Sequence, residues 1–299
     1  MRALLILWAT FFSAGTLMGQ SVKEQEYLAN LFKEVEGLTA RGEFEEALLK
    51  INTAEINVLN TFGSKSLVYG NLMFKKASVF IDQYQPDTSI QLLNKSKEIL
   101  EVVLGKNHPD LSYIYLNLSK CYSIKGSYEG CIENAQNALS ILKKYNDKDS
   151  IIAAALTNLG NCYESLGEYS LSLDSYNKAL KIIESISGSE SIDVAGIMLG
   201  LGTAYHSMGE YLRALETYNK ILILLNKIKT IESPLAADVY NNMGNTLNYL
   251  GRYKEGAKYH EQSLALCLKF YGKEHPYVAD SYNNLGVSYA GELDFEKAI

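Results

Sequence analysis

The sequence predicts an all-α fold in which antiparallel helix pairs stack into a solenoid. An apolar residue followed by glycine recurs with a constant step of 42 residues, at Leu159-Gly160, Leu201-Gly202, Met243-Gly244 and Leu285-Gly286. Small residues and aromatic residues also recur at fixed distances from each of these glycines. Four prolines and regularly spaced glycines fit long helices separated by short stops.

The composition excludes some classes of partner. With 28 basic and 34 acidic residues the net charge is −6, so the chain lacks the excess of positive charge that binds nucleic acid or anionic lipid. An apolar fraction of 47% in 299 residues fits either two compact domains or one long array. The oligomeric state stays open.

The N-terminal segment is predicted to be a cleavable signal peptide over residues 1–19. Arg2 is followed by an apolar run that contains Trp8 and Phe12, and Gly19 before Gln20 offers a cleavage point. An N-terminal membrane anchor or a buried first helix is the alternative, although the run is short for a span. We expect export to the periplasm or the medium and no other transmembrane segment.

The cysteines show neither C-x-x-C nor zinc spacing, so no metal or other cofactor is expected. They are Cys121, Cys131, Cys162 and Cys267. Three of them fit the repeat register as small core residues, and oxidation after export is left open.

Seven positions, taken as position zero, define the repeats: Val35, Ala77, Ser119, Gly160, Gly202, Gly244 and Gly286. Position +12 is always small, as in Ser172 and Ala214. We expect residues at zero and +12 to let the two helices of a pair approach closely. Glycines at +7, such as Gly167, should end the first helix in the left-handed conformation. Aromatic residues at +3 and +9 should fill the wedge between neighbouring pairs.

The run from Leu159 to Tyr163 followed by Gly167-Glu168-Tyr169 resembles the tetratricopeptide repeat family. The 42-residue step and the stretch from Gly272 to Ala279 resemble its long-repeat branch, which includes kinesin light chains and bacterial repeat proteins. The resemblance implies a right-handed superhelical solenoid over residues 20–299. It also implies a bacterial source for the exported chain.

About seven repeats are expected, of which the first is degenerate and the last truncated. Glu34 and Lys76 occupy the usual leucine position in repeats one and two, and the last repeat stops at Ile299 within its second helix. First helices are predicted near 24–40, 66–83, 109–125, 149–166, 191–208, 233–250 and 275–290. Second helices should start near 44, 86, 128, 169, 211, 253 and 294. Pro109, Pro234 and Pro276 should lie in first turns.

No constellation of residues predicts catalysis, so we expect a protein that is not an enzyme. The four histidines are scattered over different repeats, and no metalloprotease, nucleophile-elbow or P-loop motif is present. The phrase Gly200-Leu201-Gly202 begins like a dinucleotide fingerprint, but its phase places it inside a helix, where helix packing explains it better. His108 and His275 precede prolines and are interpreted as helix caps.

The resemblance implies that five positions of each first helix face an inner, concave surface. The residues there that are candidates for binding a peptide are Thr157, Asn161, Thr203, His206, Asp238, Asn241, Asn245, Asn248, Tyr249, Asp280 and Asn283. Carboxamides both donate and accept hydrogen bonds, so they can hold the backbone of an extended peptide. The alternative is that these asparagines recur only because the repeat recurs. Apart from Lys120 no basic residue lies at these positions, which disfavours an acidic ligand or a C-terminal carboxylate.

The predicted function is a non-enzymatic scaffold whose concave face takes a protein or peptide. The alternative is the N-terminal sensory or regulatory region of a larger enzyme, such as a CHAT-type caspase-like protease or a sensor histidine kinase. A spacer without a ligand is the third possibility.

Overall fold

The computed structural model describes residues 22–144 and 149–298, and each of these two ranges folds into a compact unit of its own. The predicted signal peptide lies outside the described residues. Within the described ranges no helix is both long and apolar enough to span a bilayer.

The first unit contains the three helix pairs of repeats one to three. Its helices are α1 (Val22–Ala40), α2 (Phe44–Phe62), α3 (Leu67–Asp82), α4 (Pro86–Leu104), α5 (Leu111–Ile124) and α6 (Tyr128–Leu142). Each helix packs against the next, and α3 also contacts the first helices of the neighbouring repeats. The polar residues at the leucine position form ion pairs, Glu34 with Lys50 and Lys76 with Glu55, each at 2.8 Å.

The second unit holds repeats four to seven in the same alternation. Its helices are α7 (Asp149–Leu166), α8 (Tyr169–Ser187), α9 (Ile192–Ser207), α10 (Tyr211–Lys227), α11 (Pro234–Tyr249), α12 (Tyr253–Tyr271), α13 (Pro276–Gly291) and α14 (Phe295–Ala298). Consecutive helices pack together, and the first helices α7, α9, α11 and α13 contact one another in sequence. The predicted all-α fold of antiparallel helix pairs is confirmed.

The helix starts have local causes. Ser66, Ser191 and Ser233 cap α3, α9 and α11 with side-chain oxygens that accept from a backbone N–H three residues on. His275 caps α13 through Nδ1, which accepts from the N–H of Tyr277 at 3.2 Å. The prolines of α11 and α13 occupy first turns as predicted. Pro109 does not, because a hydrogen-bonded turn from His108 to Leu111 precedes α5.

The glycines at +7 end the first helices in the left-handed region, as predicted. Gly167, Gly209 and Gly251 have φ values of 84°, 78° and 72°. The following residue donates back to the helix, as Glu168 does to the carbonyl of Tyr163 at 2.8 Å. Repeat two places Tyr84 in this conformation, with φ of 56°.

In repeats two, three and six, the residues at position zero and position +12 contact each other between the two helices of the pair. The Ser89 hydroxyl donates to the carbonyl of Ala77 at 3.0 Å, and the Ser119 hydroxyl donates to the carbonyl of Cys131 at 2.9 Å. In repeat six, a Cβ on Gly256 would stand 3.0 Å from the carbonyl oxygen of Gly244. The small residues at these two positions therefore let the backbones approach, as expected.

The largest residue against the position-zero glycines is an aromatic ring at +16, which the sequence analysis did not assign. A Cβ on Gly160 would lie 2.8 Å from the ring of Tyr176, and one on Gly202 would lie 2.3 Å from the ring of Tyr218. In repeat six the equivalent ring is His260, 2.6 Å from a Cβ on Gly244. In repeats four to six glycine is thus required at position zero, because the ring fills the space of a side chain.

Candidate functional site

A cavity of about 410 Å³, lined by both polar and apolar surface, opens between the first helices α7, α9 and α11 of the second unit. Each of these helices supplies the side chains of one face, and the Tyr176 ring from α8 reaches between them. The lining consists of Thr157, Asn161, Glu164, Tyr176, Gly196, Leu199, Gly200, Thr203, Asp238, Asn241 and Asn242. Its volume is in the range of ligand sites in proteins.

The structure brings part of the predicted set of site residues together in this cavity. Thr157, Asn161, Thr203, Asp238 and Asn241 line it. The remaining candidates are not part of the lining: His206, Asn245, Asn248, Tyr249, Asp280 and Asn283.

Tyr176 reaches the cavity through a gap left by two glycines. A Cβ on Gly200 would lie 2.5 Å from its ring, and Gly160 flanks the ring on the other helix. The hydroxyl donates to Oδ1 of Asn161. Burial raises the pKa of Tyr176 above its ordinary value, so the phenol stays protonated and remains a donor. Gly200 and Gly202 therefore serve helix packing, and the interpretation of Gly200-Leu201-Gly202 as a packing motif is confirmed.

Two carboxylates face the cavity from opposite walls. Glu164 of α7 accepts a hydrogen bond from the Ser207 hydroxyl of α9. Asp238 of α11 is exposed at the surface, and the protein packed around it partly desolvates its carboxylate, which raises its pKa to about 6.

Hydroxyls and carboxamides complete the polar lining. The Thr157 and Thr203 hydroxyls donate to the carbonyls of Ala153 and Leu199, at 2.8 and 3.0 Å. Thr157 Oγ1 therefore offers lone pairs to the cavity, whereas Thr203 Oγ1 also accepts from Asn242 Nδ2 at 3.4 Å and keeps at most one lone pair for a ligand. Asn241 Oδ1 accepts from Asn284 Nδ2 at 2.9 Å, which leaves the Asn241 amide group as a donor.

A cluster of three rings lies near the ends of α9 and α11. His206 lies 4.9 Å from Tyr249 and 5.3 Å from Tyr211 between ring centroids, and the two tyrosines stack at 5.6 Å. His206 Nδ1 is 2.9 Å from the Thr246 hydroxyl. Burial lowers the pKa of His206, and the charge of Glu164 opposes this shift in part. Tyr249 is 68% exposed, so its ring can take a further stacking partner.

The candidates nearer repeat seven are dispersed. Asn248 is held by Ser288, whose hydroxyl is 2.8 Å from Asn248 Nδ2. Asn245 is half-buried, whereas Asp280 and Asn283 are exposed on α13.

Six lining residues were absent from the predicted set, namely Glu164, Tyr176, Gly196, Leu199, Gly200 and Asn242. Glu164 and Asn242 lie on inner turns of α7 and α11, and Glu164 occupies the same repeat position as His206 and Asn248. Tyr176 comes from a second helix, so a rule confined to first helices could not find it. A signal existed in the sequence, because an aromatic ring stands at +16 wherever glycine stands at zero in repeats four to six.

The cavity is chemically suited to binding by hydrogen bonds and charge. No group of three or more His, Cys, Asp or Glu side chains that could hold a metal ion occurs in the described ranges. Carboxylates, threonine oxygens and carboxamides give it mainly acceptors, with amide groups as donors.

Comparison with curated protein sequences found no significant match. Solved structures share the fold at low sequence identity. A kinesin light chain protein of Podosopora anserina with nearly identical TPR-like repeats is 17% identical, with a TM-score of 0.56, and the match covers 68% of this chain and 96% of that one. A Rap protein complexed with competence and sporulation factor is 16% identical, with a TM-score of 0.64, and the match covers 91% and 73%.

NprR in complex with its cognate peptide NprX is 15% identical, with a TM-score of 0.60, and the match covers 93% of this chain and 77% of that one. At these identities the likeness shows the fold alone. The sequence itself carries the family assignment, because the tetratricopeptide repeat profile matches residues 120–185, 151–227 and 235–299, more than half of the chain. The chain belongs to the tetratricopeptide repeat family.

Proposed function

We propose that this protein is a non-enzymatic scaffold that binds a peptide, or an extended segment of a protein, in the cavity between α7, α9 and α11. The observation that carries the proposal is the lining itself. Donors and acceptors from three successive first helices face one cavity of about 410 Å³, although they are far apart in the sequence. An extended backbone needs such partners, because its N–H and C=O groups give up water on binding.

The structural neighbours support a peptide as the ligand. The Rap structure is a complex with competence and sporulation factor, and the NprR structure is a complex with its cognate peptide NprX. The resemblance to these proteins is one of fold, so it supports the class of ligand and not its sequence.

Asn241 is the residue whose loss should weaken peptide binding most clearly. Replacing Asn241 by alanine removes a donor from the cavity wall and is expected to weaken binding by about tenfold, since one buried hydrogen bond is lost. The probe is a heptapeptide selected by the wild-type protein from a random displayed library, and the measurement is its fluorescence anisotropy. Asn283→Ala should have a smaller effect, because Asn283 lies outside the cavity lining.

The matched control is Lys254→Ala with Lys258→Ala, two exposed residues of α12. We expect this pair to change neither binding nor the thermal midpoint of unfolding. Loss of binding in the lysine pair, with full binding by Asn241→Ala, would place the ligand on another surface.

We also propose that the protein is exported and that the leader over residues 1–19 is removed. The apolar run from Leu4 to Phe12 would otherwise expose a large hydrophobic surface to water. N-terminal sequencing of the mature protein should start at Gln20. A mature chain that starts at Met1 would contradict cleavage.

The alternative, a regulatory repeat region of a larger signalling enzyme, stays a prediction. Reading the coding sequence downstream of Ile299 tests it directly.

A further inference from the structure

We propose that the cavity between α7, α9 and α11 selects peptides with a basic side chain, an arginine or a lysine, whose cationic group is bound by Asp238 and Glu164. The inference rests on the proposed peptide-binding function and names the chemistry that the ligand must carry.

The charge of the lining is the first argument. Its two ionisable acids are Glu164 and Asp238, and the lining contains no lysine or arginine. An anionic ligand would find no counter-charge there, whereas a guanidinium or ammonium group would find two carboxylates.

The second argument is that these carboxylates are left without cations while others in the same unit are paired. Neither Glu164 nor Asp238 forms an ion pair with any residue that the structure describes. By contrast, basic side chains bind acids on the outer surface of the unit, as in Lys178–Asp174, Arg213–Glu210, Lys220–Glu216, Lys227–Glu190, Lys269–Glu232 and Arg252–Glu255. Glu164 and Asp238 are therefore two acids of this unit whose negative charge a ligand can neutralise, and both line the same cavity.

The third argument is the direction of the neighbouring hydrogen bonds. Thr157 and Thr203 donate their hydroxyl protons to backbone carbonyls within their own helices. Thr157 therefore presents oxygen lone pairs to the cavity that the carboxylates line, and Thr203, which also accepts from Asn242 Nδ2 at 3.4 Å, presents at most one. Guanidinium and ammonium groups only donate, so their remaining N–H groups match these acceptors.

Asp238 responds to its surroundings as an unpaired carboxylate does. Loss of hydration raises its pKa to about 6, with no compensating positive charge. A bound cation would restore the favourable interaction that the carboxylate lacks in the free protein, and would stabilise its ionised form.

The test is a selection from two libraries of random heptapeptides at pH 7.5. One library displays the peptides internally, without free amino termini, and the other displays them with free amino termini. We expect the wild-type protein to enrich arginine or lysine at one fixed position in both. Enrichment only among peptides with free amino termini would overturn the side-chain assignment, because the amino terminus would then be the cation.

The outcomes separate this inference from the proposed function. Enrichment of peptides without a basic residue would overturn the inference while peptide binding stands. No enrichment of any peptide would overturn both.

Two peptides that differ only in the charge of one side chain then test whether Asp238 and Glu164 bind the cationic group. A selected arginine peptide should bind the wild-type protein at least about tenfold more tightly than its citrulline analogue, which keeps the shape without the charge. The variant Asp238→Asn with Glu164→Gln should bind the two peptides with similar affinity. Equal loss of both peptides, or discrimination that persists in the variant, would overturn the assignment to these carboxylates. An unchanged thermal midpoint serves as the folding control, and Glu216→Gln on the outer surface should keep the full discrimination.

Discussion

Replacing Gly202 by leucine is expected to lower the free energy of unfolding by more than about 2 kcal/mol, because the helix pair of repeat five has no room for a side chain there. The first added carbon would lie 2.3 Å from Cε1 and 2.8 Å from Cδ1 of Tyr218. Tyr218 is 1% exposed and is packed in the core of α9, α10 and α11. Its ring cannot move away without displacing the helices, so the overlap should appear as lost stability. Urea denaturation measures it.

The second unit offers a matched control in the same helix. Gly196 also lies in α9, but a Cβ there would have no atom within 4 Å. Gly196→Ala should leave stability unchanged or raise it by up to about 1 kcal/mol, since alanine favours helix more than glycine does.

The contact between Gly202 and Tyr218 can be isolated with a double variant that carries the residues of repeat two at these positions. Repeat two carries Ala77 and Leu93 where repeat five carries Gly202 and Tyr218. Gly202→Ala with Tyr218→Leu should therefore be less destabilised than the sum of the two single changes. Additive losses, or equal stability of Gly202→Leu and the wild type, would show that these positions do not meet.

The second large effect is a loss of stability in acid caused by His260. This side chain is fully buried, neither ring nitrogen has a hydrogen-bond partner, and burial lowers its pKa from 6.5 to about 4. Between these two values the unfolded chain takes up the proton and the folded chain does not. Stability is therefore lost as the pH falls from 6.5 towards 4. The loss attributable to His260 between pH 7.5 and 4.5 should be about 2 to 3 kcal/mol.

Comparison with His260→Tyr isolates this contribution. Tyrosine occupies the equivalent position in repeats four and five and does not titrate in this range. Asp238 acts in the opposite direction, because its raised pKa lets the folded state take up the proton first and gain stability below pH 6. Asp238 is present in both proteins, so its effect cancels in the difference. The free energies of unfolding, measured by urea denaturation at several pH values, should diverge as the pH falls. Parallel curves would mean that His260 does not govern the loss.

The sequence located the helices well because their signals are local and repeated. Every second helix starts with the residue at +9, from Phe44 to Phe295. The predicted starts agree in repeats one to six and differ by one residue in repeat seven, where residue 294 was expected. Glycine at +7 ends a first helix because its backbone reaches positive φ without a side-chain clash, which depends on one residue and its neighbours. Pro109 is the exception among the helix starts. Its position also fits the turn that precedes α5, and sequence spacing does not distinguish a turn from a first helical turn.

The sequence by itself also determined the family, and its 42-residue period fixes which turns of each first helix are equivalent. The expectation that five positions on these turns face inward came from the family resemblance. Only the tertiary structure decided which of these residues share a cavity. Thr157, Thr203 and Asp238 meet there because α7, α9 and α11 pack side by side, whereas Asp280 and Asn283 on α13 remain outside. Tyr176 joins them from a second helix through the space that Gly160 and Gly200 leave open. Periodicity specifies the direction of a side chain within its own helix. The distance between side chains on different helices depends on how closely those helices pack, and here the glycines and the rings opposite them set that distance.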